Sequence, residues 1–302
     1  MKAIVYRGPG KLALEEKSKP RIQKPTDCLV KILKTTICGT DLHICKGDVP
    51  TVDLGRTLGH EGIGIVEAIG EGVLDFKIGD KVLISCITSC GRCSYCKEKM
   101  YSHCSEGGWL LGHRIDGTQA EYVRIPYADT SLHRLPSQIG LNEEALVLLS
   151  DIFPTGYETG VLKGKIKLGD VVAIIGAGPI GLAVLLTSQF YFPSQIILVD
   201  VDDFRLEVAQ KLGATMTINA QQENAVQKIL EHTRQKGVNV SVEAVGTPEA
   251  FNICQSILAP GGYLANIGVH GKSVDLHLEN LWDRNITLTT ALVDTLKVIL
   301  TA

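Results

Sequence analysis

Apolar and polar positions change rhythm about halfway along the chain. Up to about residue 150, short runs such as Cys28-Leu29-Val30-Lys31-Ile32-Leu33, Gly64-Ile65-Val66-Glu67-Ala68-Ile69 and Lys81-Val82-Leu83-Ile84 are separated by Gly, Pro and Asp. Runs this short, bounded by turn residues such as Ile78-Gly79-Asp80, predict β-strands. From Gly169 onward, strand-length apolar runs alternate with helix-length segments. Strands are predicted at 171–175, 196–200, 215–218, 239–244, 262–267 and 286–291, and helices near 180–190, 203–212, 222–235 and 248–258. That alternation predicts an α/β half built on a doubly wound parallel sheet. Asn142 is placed to cap a helix beginning Glu143-Glu144-Ala145, and Asp151 to Gly156 to cross between the halves. The chain contains no internal repeat and no low-complexity tract.

The most informative stretch runs from Val171 to Asp200: an apolar strand, the turn Gly176-Ala177-Gly178-Pro179-Ile180-Gly181, a helix, and a second strand Ile196-Ile197-Leu198-Val199 ending in an acid. Gly176 permits the sharp turn, Gly178 lets a pyrophosphate approach the backbone, and Gly181 lets the helix pack closely on the strand. The helix start then offers unpaired N–H groups and a positive dipole end to the phosphates. Asp200 can accept hydrogen bonds from an adenosine ribose, and with Asp202 and Asp203 it would repel a 2′-phosphate, which favours NAD over NADP. Val171 to Leu186 is nearly all apolar, but it is shorter than the ~20 residues of a membrane span and is interrupted by Gly-Ala-Gly-Pro.

Composition narrows the function classes. Hydrophobic residues at 45%, charged at 21% and a net charge of -3 over 302 residues describe a globular protein of about two domains. The absence of a long basic run argues against nucleic acid and anionic membrane as partners. The polar start carries no apolar signal core, so a cytoplasmic location is expected. Nine cysteines, four of them clustered, fit metal ligation in a reducing compartment better than a disulfide framework.

Cys90, Cys93, Cys96 and Cys104 form C-x2-C-x2-C-x7-C in a polar loop. Four thiolates so spaced can close around one tetrahedral Zn²⁺ with no position left for substrate; an iron–sulfur site is the competing reading. His103 sits beside a complete set and reads as a surface residue. A second group is dispersed: Cys38 in Cys38-Gly39-Thr40-Asp41-Leu42-His43, His60 and Glu61 in Gly59-His60-Glu61-Gly62, and Asp151. Spacing alone leaves each open to a bland reading, as a small core residue, a turn histidine and a helix cap.

Taken together these motifs resemble the zinc-containing medium-chain dehydrogenase/reductase family. Gly59-His60-Glu61-Gly62-Ile63-Gly64, continuing through Gly70, Gly79-Asp80 and Val82, is similar to its zinc signature. Cys38-Gly39-Thr40-Asp41 is similar to its first ligand turn, the four-cysteine loop to its structural-zinc lobe, and Gly176 to Gly181 to its coenzyme fold. The resemblance covers nearly the whole chain. It implies a GroES-like β-barrel catalytic domain over 1–150, with the zinc lobe at about 86–110, then a Rossmann NAD-binding domain over 151–302 and an active site between them.

Two Zn²⁺ per chain and NAD are the implied cofactors. Cys38, His60 and Asp151 become catalytic-zinc ligands, with Glu61 a neighbour or exchangeable fourth ligand. Asp151 stands where many members have cysteine, and Ser150-Asp151-Ile152-Phe153-Pro154-Thr155-Gly156 is similar to the branch containing secondary-alcohol and formaldehyde dehydrogenases. The exchange keeps that ligand anionic. The implied reaction is reversible hydride transfer from a small secondary or primary alcohol to NAD⁺, giving an aldehyde or ketone, with the metal as Lewis acid. Thr40 and His43 look like the family's proton relay; an imidazole with a reference pKa of about 6.5 suits that work. Thr155 would approach the nicotinamide and Trp109 would line the substrate pocket, although a tryptophan simply packing the cysteine lobe fits equally well. Arg205 and the strand ends at Val245, Gly268 and Val269 complete the expected cofactor contacts.

The family usually continues beyond the sixth strand and returns to the catalytic domain. Here the chain ends at Leu296-Lys297-Val298-Ile299-Leu300-Thr301-Ala302, so that return segment is expected to be missing and the barrel core partly uncovered. The strand at 286–291 resembles the one through which coenzyme domains pair, which implies a homodimer or tetramer. A threonine or polyol dehydrogenase is an alternative within the family, and a non-catalytic NAD- and zinc-binding protein is the alternative from another class. A zinc-free quinone reductase would leave Cys38, His60 and the cysteine lobe unexplained.

Overall fold

The computed structural model describes residues 1–136 and 142–294, and the expectation for the apolar tail at 296–302 lies outside the described residues. The chain divides into two compact units, Met1–Asp151 with Val293 and Asp294, and Ile152–Leu292.

Among the described residues the first unit holds seven strands: β1 (Lys2–Tyr6), β2 (Leu12–Glu16), β3 (Cys28–Thr35), β4 (Gly62–Ile69), β5 (Lys81–Ile84), β6 (Tyr122–Ile125) and β7 (Leu132–Arg134). β1 and β2 form an antiparallel hairpin, and the others an antiparallel sheet in the order β6-β3-β4-β5-β7. Its core gathers Cys28, Val30, Val66, Val82, Ile84, Val123 and Ile125 on one side. Ile63 and Leu83 meet Leu146 and Val147 on the other. Leu146 and Val147 belong to the helix Glu143–Val147, which starts where the sequence predicts, with Asn142 Oδ1 accepting from Ala145 N at 2.7 Å. The predicted turn before β5 is made by Gly79 in the left-handed region, with Asp80 accepting from Lys77 N at 3.1 Å and pairing with Arg134 at 3.0 Å.

The second unit is the doubly wound sheet. β8 (Val171–Ile175), β9 (Gln195–Asp200), β10 (Met216–Asn219), β11 (Val238–Glu243), β12 (Leu258–Asn266) and β13 (Thr287–Thr290) are all parallel and lie in the order β10-β9-β8-β11-β12-β13. The strand order reverses between β8 and β11, where such sheets bind ligands beyond their carboxyl ends. Helices Pro179–Ser188, Asp203–Lys211, Ala225–His232 and Pro248–Ser256 cover the two faces. Val172, Ile174 and Val184 pack on one face, Ala173, Ile175 and Phe251 on the other. The helix predicted at 222–235 is shorter because Asn224 caps it, accepting from Gln227 N at 3.1 Å. The one predicted at 248–258 stops at Ser256 because β12 begins at Leu258, four residues before its predicted start.

Val293 is 3% exposed and packs with Cys86 and Ile87. Asp294 accepts hydrogen bonds from Ser102 N at 2.8 Å and from the Ser102 hydroxyl. The chain thus meets the first unit again at these two residues, just past the end of the second. Among the described residues no helix is long and apolar enough to cross a membrane.

Candidate metal and cofactor sites

Cys38 precedes the helix Gly39–Lys46 and His60 precedes β4, and both are held by Asp41. Its carboxylate accepts from Cys38 N at 2.9 Å, from Gly59 N at 3.3 Å and from Gln119 Nε2 at 2.9 Å. One buried acid therefore ties both ligand-bearing loops together. Asp151 is fixed through its neighbour: Ser150 Oγ accepts from Gly62 N at 3.2 Å, and Ser150 O accepts from Cys86 N at 3.3 Å.

These supports bring Cys38, His60 and Asp151 together, with one donor atom from each within 4.8 Å of the others. Cys38 Sγ lies 3.9 Å and His60 Nε2 3.1 Å from Asp151 Oδ2. Ligand atoms at about 2.0–2.3 Å from a tetrahedral Zn²⁺ stand roughly 3.4–3.8 Å apart, close to these separations. Burial alone would push the His60 pKa down, but Asp151 and Cys38 hold it well above 6.5. Burial pushes the Cys38 thiol up, against the pull of His60. Two potential anions and an imidazole, packed away from water, call for a positive charge among them, and a divalent cation fits that donor set. Three donors leave the fourth tetrahedral position open.

Glu61 takes the neighbouring position rather than joining the cluster. It is buried and its carboxylate accepts from the Thr36 hydroxyl. Thr40 Oγ1 is 3.8 Å from Cys38 Sγ, and His43 Nδ1 is 2.8 Å from Asp48 Oδ2. Trp109 stands edge-on to His60 at 6.3 Å and stacks on His113 at 4.3 Å. It also packs, as Tyr101 does, on the cluster Cys86, Ile87 and Val293.

Cys90, Cys93, Cys96 and Cys104 form the second cluster, again within 4.8 Å. Cys93 Sγ and Cys104 Sγ are 3.9 Å apart, against about 3.8 Å for two sulfurs on one tetrahedral zinc. The backbone amides of Cys96 and Ser105 draw the Cys93 thiol down to about 6, so it is a thiolate at neutral pH. His103 is exposed, hydrogen-bonded to Ser102, and outside the cluster.

In the second unit the glycine turn follows β8. Gly176 has φ +106°, and a Cβ there would meet Val245 Cγ2 at 2.7 Å. Gly178 is the N-cap, Pro179 the first helical residue, and Ile180 and Gly181 follow in the first turn. Asp200 ends β9 with a nearly buried carboxylate that accepts from Ala177 N at 2.6 Å, Val201 N at 2.8 Å and Asp202 N at 3.0 Å. Arg205 Nη1 lies 3.9 Å from it. Val245, Gly268 and Val269 border the ends of β11 and β12, and Thr155 closes the short helix Ile152–Thr155.

Three residues with clear structural roles carried weak sequence signals. Asp41 stands three residues after the N-cap Cys38, the acid position of a capping box. Glu243, at the end of β11, accepts from Val245 N at 3.0 Å and Gly246 N at 2.8 Å, and its signal was a lone acid closing an apolar run. Cys86 is fully buried beside Asp151, where burial and the neighbouring acids push its thiol well above 9.

Comparison with known proteins agrees with this architecture. The family described as "Alcohol dehydrogenase GroES-like domain" matches residues 24–137, and "Zinc-binding dehydrogenase" matches 179–298. An alcohol dehydrogenase of Cupriavidus necator is 36% identical over 92% of this chain and 79% of its own length. The solved zinc dependent alcohol dehydrogenase 2 from Streptococcus pneumonia is 56% identical with a TM-score of 0.92, over 97% of this chain and 83% of that one. An alcohol dehydrogenase from Thermus sp. ATN1 is 36% identical with a TM-score of 0.87, over 97% and 85%.

Proposed function

The chain belongs to the zinc-type alcohol dehydrogenases of the medium-chain dehydrogenase/reductase family, and from that premise we propose that it oxidises small secondary or primary alcohols with NAD⁺, reversibly. The observation that carries this reading is the buried set Cys38, His60 and Asp151, three donors with a coordination position to spare. A zinc ion held there would supply the Lewis acidity that lowers the pKa of a bound alcohol, and a nicotinamide would accept its hydride.

The chain's own residues do the rest. Cys38 and Asp151, as anions, offset both charges of a divalent ion, and His60 completes the set as a neutral donor. Thr40 Oγ1, next to Cys38, accepts the hydroxyl proton as it releases its own, and His43, one helical turn further on, receives the proton released. Trp109 gives the site an apolar wall beside His60. Gly178, Ile180 and Gly181 offer backbone N–H groups to a pyrophosphate, and Gly176 and Pro179 shape the turn that presents them. Thr155, Val245, Gly268 and Val269 border the nicotinamide. Asp200 accepts from the ribose, and Asp202 and Asp203 add negative charge beside it.

A 2′-phosphate about 6 Å from one of these carboxylates would be disfavoured by roughly 1–3 kcal/mol, and half-exposed Arg205 does not offset three acids. NADH should therefore bind more tightly than NADPH, by about fivefold or more. The four cysteines form a second, purely structural zinc site.

A homo-oligomer, dimer or tetramer, is proposed through the polar edge strand β13, Thr287–Thr290, whose outer edge can pair with a second copy. A reducing, cytoplasmic setting suits the cysteine chemistry.

The test is zinc content per chain after dialysis against a weak chelator, followed by turnover of propan-2-ol, primary alcohols, L-threonine and sorbitol with NAD⁺. Two zinc ions and turnover of the simple alcohols support the reading. One zinc and no turnover of any substrate would overturn it in favour of a binding protein, and preference for sorbitol or L-threonine would move it to the polyol or threonine enzymes.

A further inference from the structure

The helix Gly39–Lys46 carries Thr40 and His43 three residues apart, on one face. It ends at Gly47, whose φ of +90° turns the chain back on the last turn. A Cβ at that position would also press on Pro9 Cγ at 3.1 Å. The reversal brings Asp48 over His43 at two points: Asp48 N donates to His43 O at 3.0 Å, and Asp48 Oδ2 lies 2.8 Å from His43 Nδ1. Both side chains are mostly covered, 17% and 28% exposed.

A carboxylate only accepts, so the hydrogen in this contact is on Nδ1. The neutral ring is thereby held as the Nδ1–H tautomer, with its lone pair on Nε2. We propose that Asp48 is a positioning residue that sets the tautomer and ring angle of His43 so that Nε2 is the atom that accepts the proton leaving the site.

The inference rests on the reading of His43 as proton carrier. One proton arrives at Nε2 and makes the imidazolium, whose Nδ1–H stays on Asp48, and the same proton leaves from Nε2 to a solvent base. No electrons move and nothing is consumed. An uncharged acceptor in the same place would keep the hydrogen on Nδ1 but would make the weaker, neutral type of hydrogen bond. An ion pair that merely closed a helix would contribute ~1 kcal/mol or less to stability and nothing to turnover.

The test uses the full-length zinc-loaded protein with Asp48→Ala, Asp48→Asn and His43→Ala. Three quantities are read: kcat and KM for propan-2-ol at saturating NAD⁺, rescue by added imidazole, and the ¹⁵N shifts of the His43 ring. Asp48→Ala should lower kcat tenfold or more with KM changed less than twofold, lose the Nδ1–H signature, and recover rate with imidazole. Asp48→Asn should keep the tautomer, since its amide oxygen still accepts, yet recover only part of kcat.

If His43→Ala turns over at the full rate, the proton-carrier reading fails and the inference with it. If His43→Ala is slow while Asp48→Ala keeps its kcat, the inference alone is overturned. Should no variant or parent act on propan-2-ol, the ¹⁵N spectrum decides: an unchanged tautomer in Asp48→Ala overturns the role assigned to Asp48, and a lost one supports it.

Discussion

Two glycines of one turn should respond in opposite ways to the same added methyl group. A Cβ on Gly181 would overlap the carbonyl oxygen of Gly176 and lie 2.9 Å from its carbonyl carbon. Gly176 cannot yield, because its N–H donates to Val199 O at 2.7 Å and Val245 and Ala244 crowd its other side. The helix Pro179–Ser188 would instead have to withdraw by about 1 Å, and overpacking of this kind costs ~1–3 kcal/mol. Withdrawal also loosens Val184 and Leu185, both fully buried, at roughly 1 kcal/mol more. Gly181→Ala should therefore lose ~3 kcal/mol and lower the unfolding temperature by roughly 10 °C.

A Cβ on Gly178 meets nothing within 4 Å, and its backbone, at φ -71° and ψ -179°, suits any L-residue. Stability in Gly178→Ala should stay within about 1 kcal/mol of the parent. What the methyl fills is the space through which a pyrophosphate would reach the amides. Losing one charge-assisted hydrogen bond costs ~1.5–3 kcal/mol, so the NADH dissociation constant should rise at least tenfold. Thermal unfolding and fluorescence titration with NADH read the two effects separately. A Gly178→Ala protein that binds NADH as tightly as the parent would refute the pyrophosphate reading, and an unaltered unfolding temperature in Gly181→Ala would refute the packing argument.

Asp151→Asn removes an anion from the three-donor site, so zinc should fall by one per chain and alcohol turnover by at least about 100-fold, while metal analysis still finds the four-cysteine zinc. Cys93→Ser removes the thiolate with a pKa of about 6; it should empty the lobe and open the loop at 90–104 to limited proteolysis, without loss of the other zinc. Burial lowers the His113 pKa below 6.5, so the unfolded chain binds this proton more readily than the folded one. The stability due to neutral His113 is thus complete above about pH 6.5 and is lost as the pH falls through the folded value. Unfolding temperatures measured down that range should drop more steeply for the parent than for His113→Gln, and parallel curves would exclude the assignment.

The parts of this molecule that were legible in the sequence are those whose cause is local. The turn from Gly176 to Gly181 declares itself because its spacing serves the strand and helix on either side, and the four cysteines because their donors lie within one loop. Cys38, His60 and Asp151 had no such signal; Cys38 and Asp151 are 113 residues apart, and only resemblance joined them. Glu61 entered the ligand set through the same resemblance, as a neighbour or exchangeable fourth ligand, and its carboxylate accepts from the Thr36 hydroxyl. The early start of β12 was hidden by Pro260 and Gly261, residue types that are poor in strands but here lie within one. Asp48 was invisible for another reason: its place over His43 depends on the left-handed residue between them, and no periodicity reports that.

The two donor clusters also differ in when the chain can build them. Cys90 and Cys104 are 14 residues apart, so an unfolded chain closes that loop often and cheaply. Bringing Cys38 to Asp151 across 113 residues costs about 2 kcal/mol more in chain entropy, before any packing repays it. The cysteine lobe can therefore gather its donors as a local event, early and independently. The other three donors are held in place by contacts far apart in the chain, the pairing of β4 with β5 and the docking of Ser150 on Gly62. One site takes part in folding, and the other is a record that folding has finished.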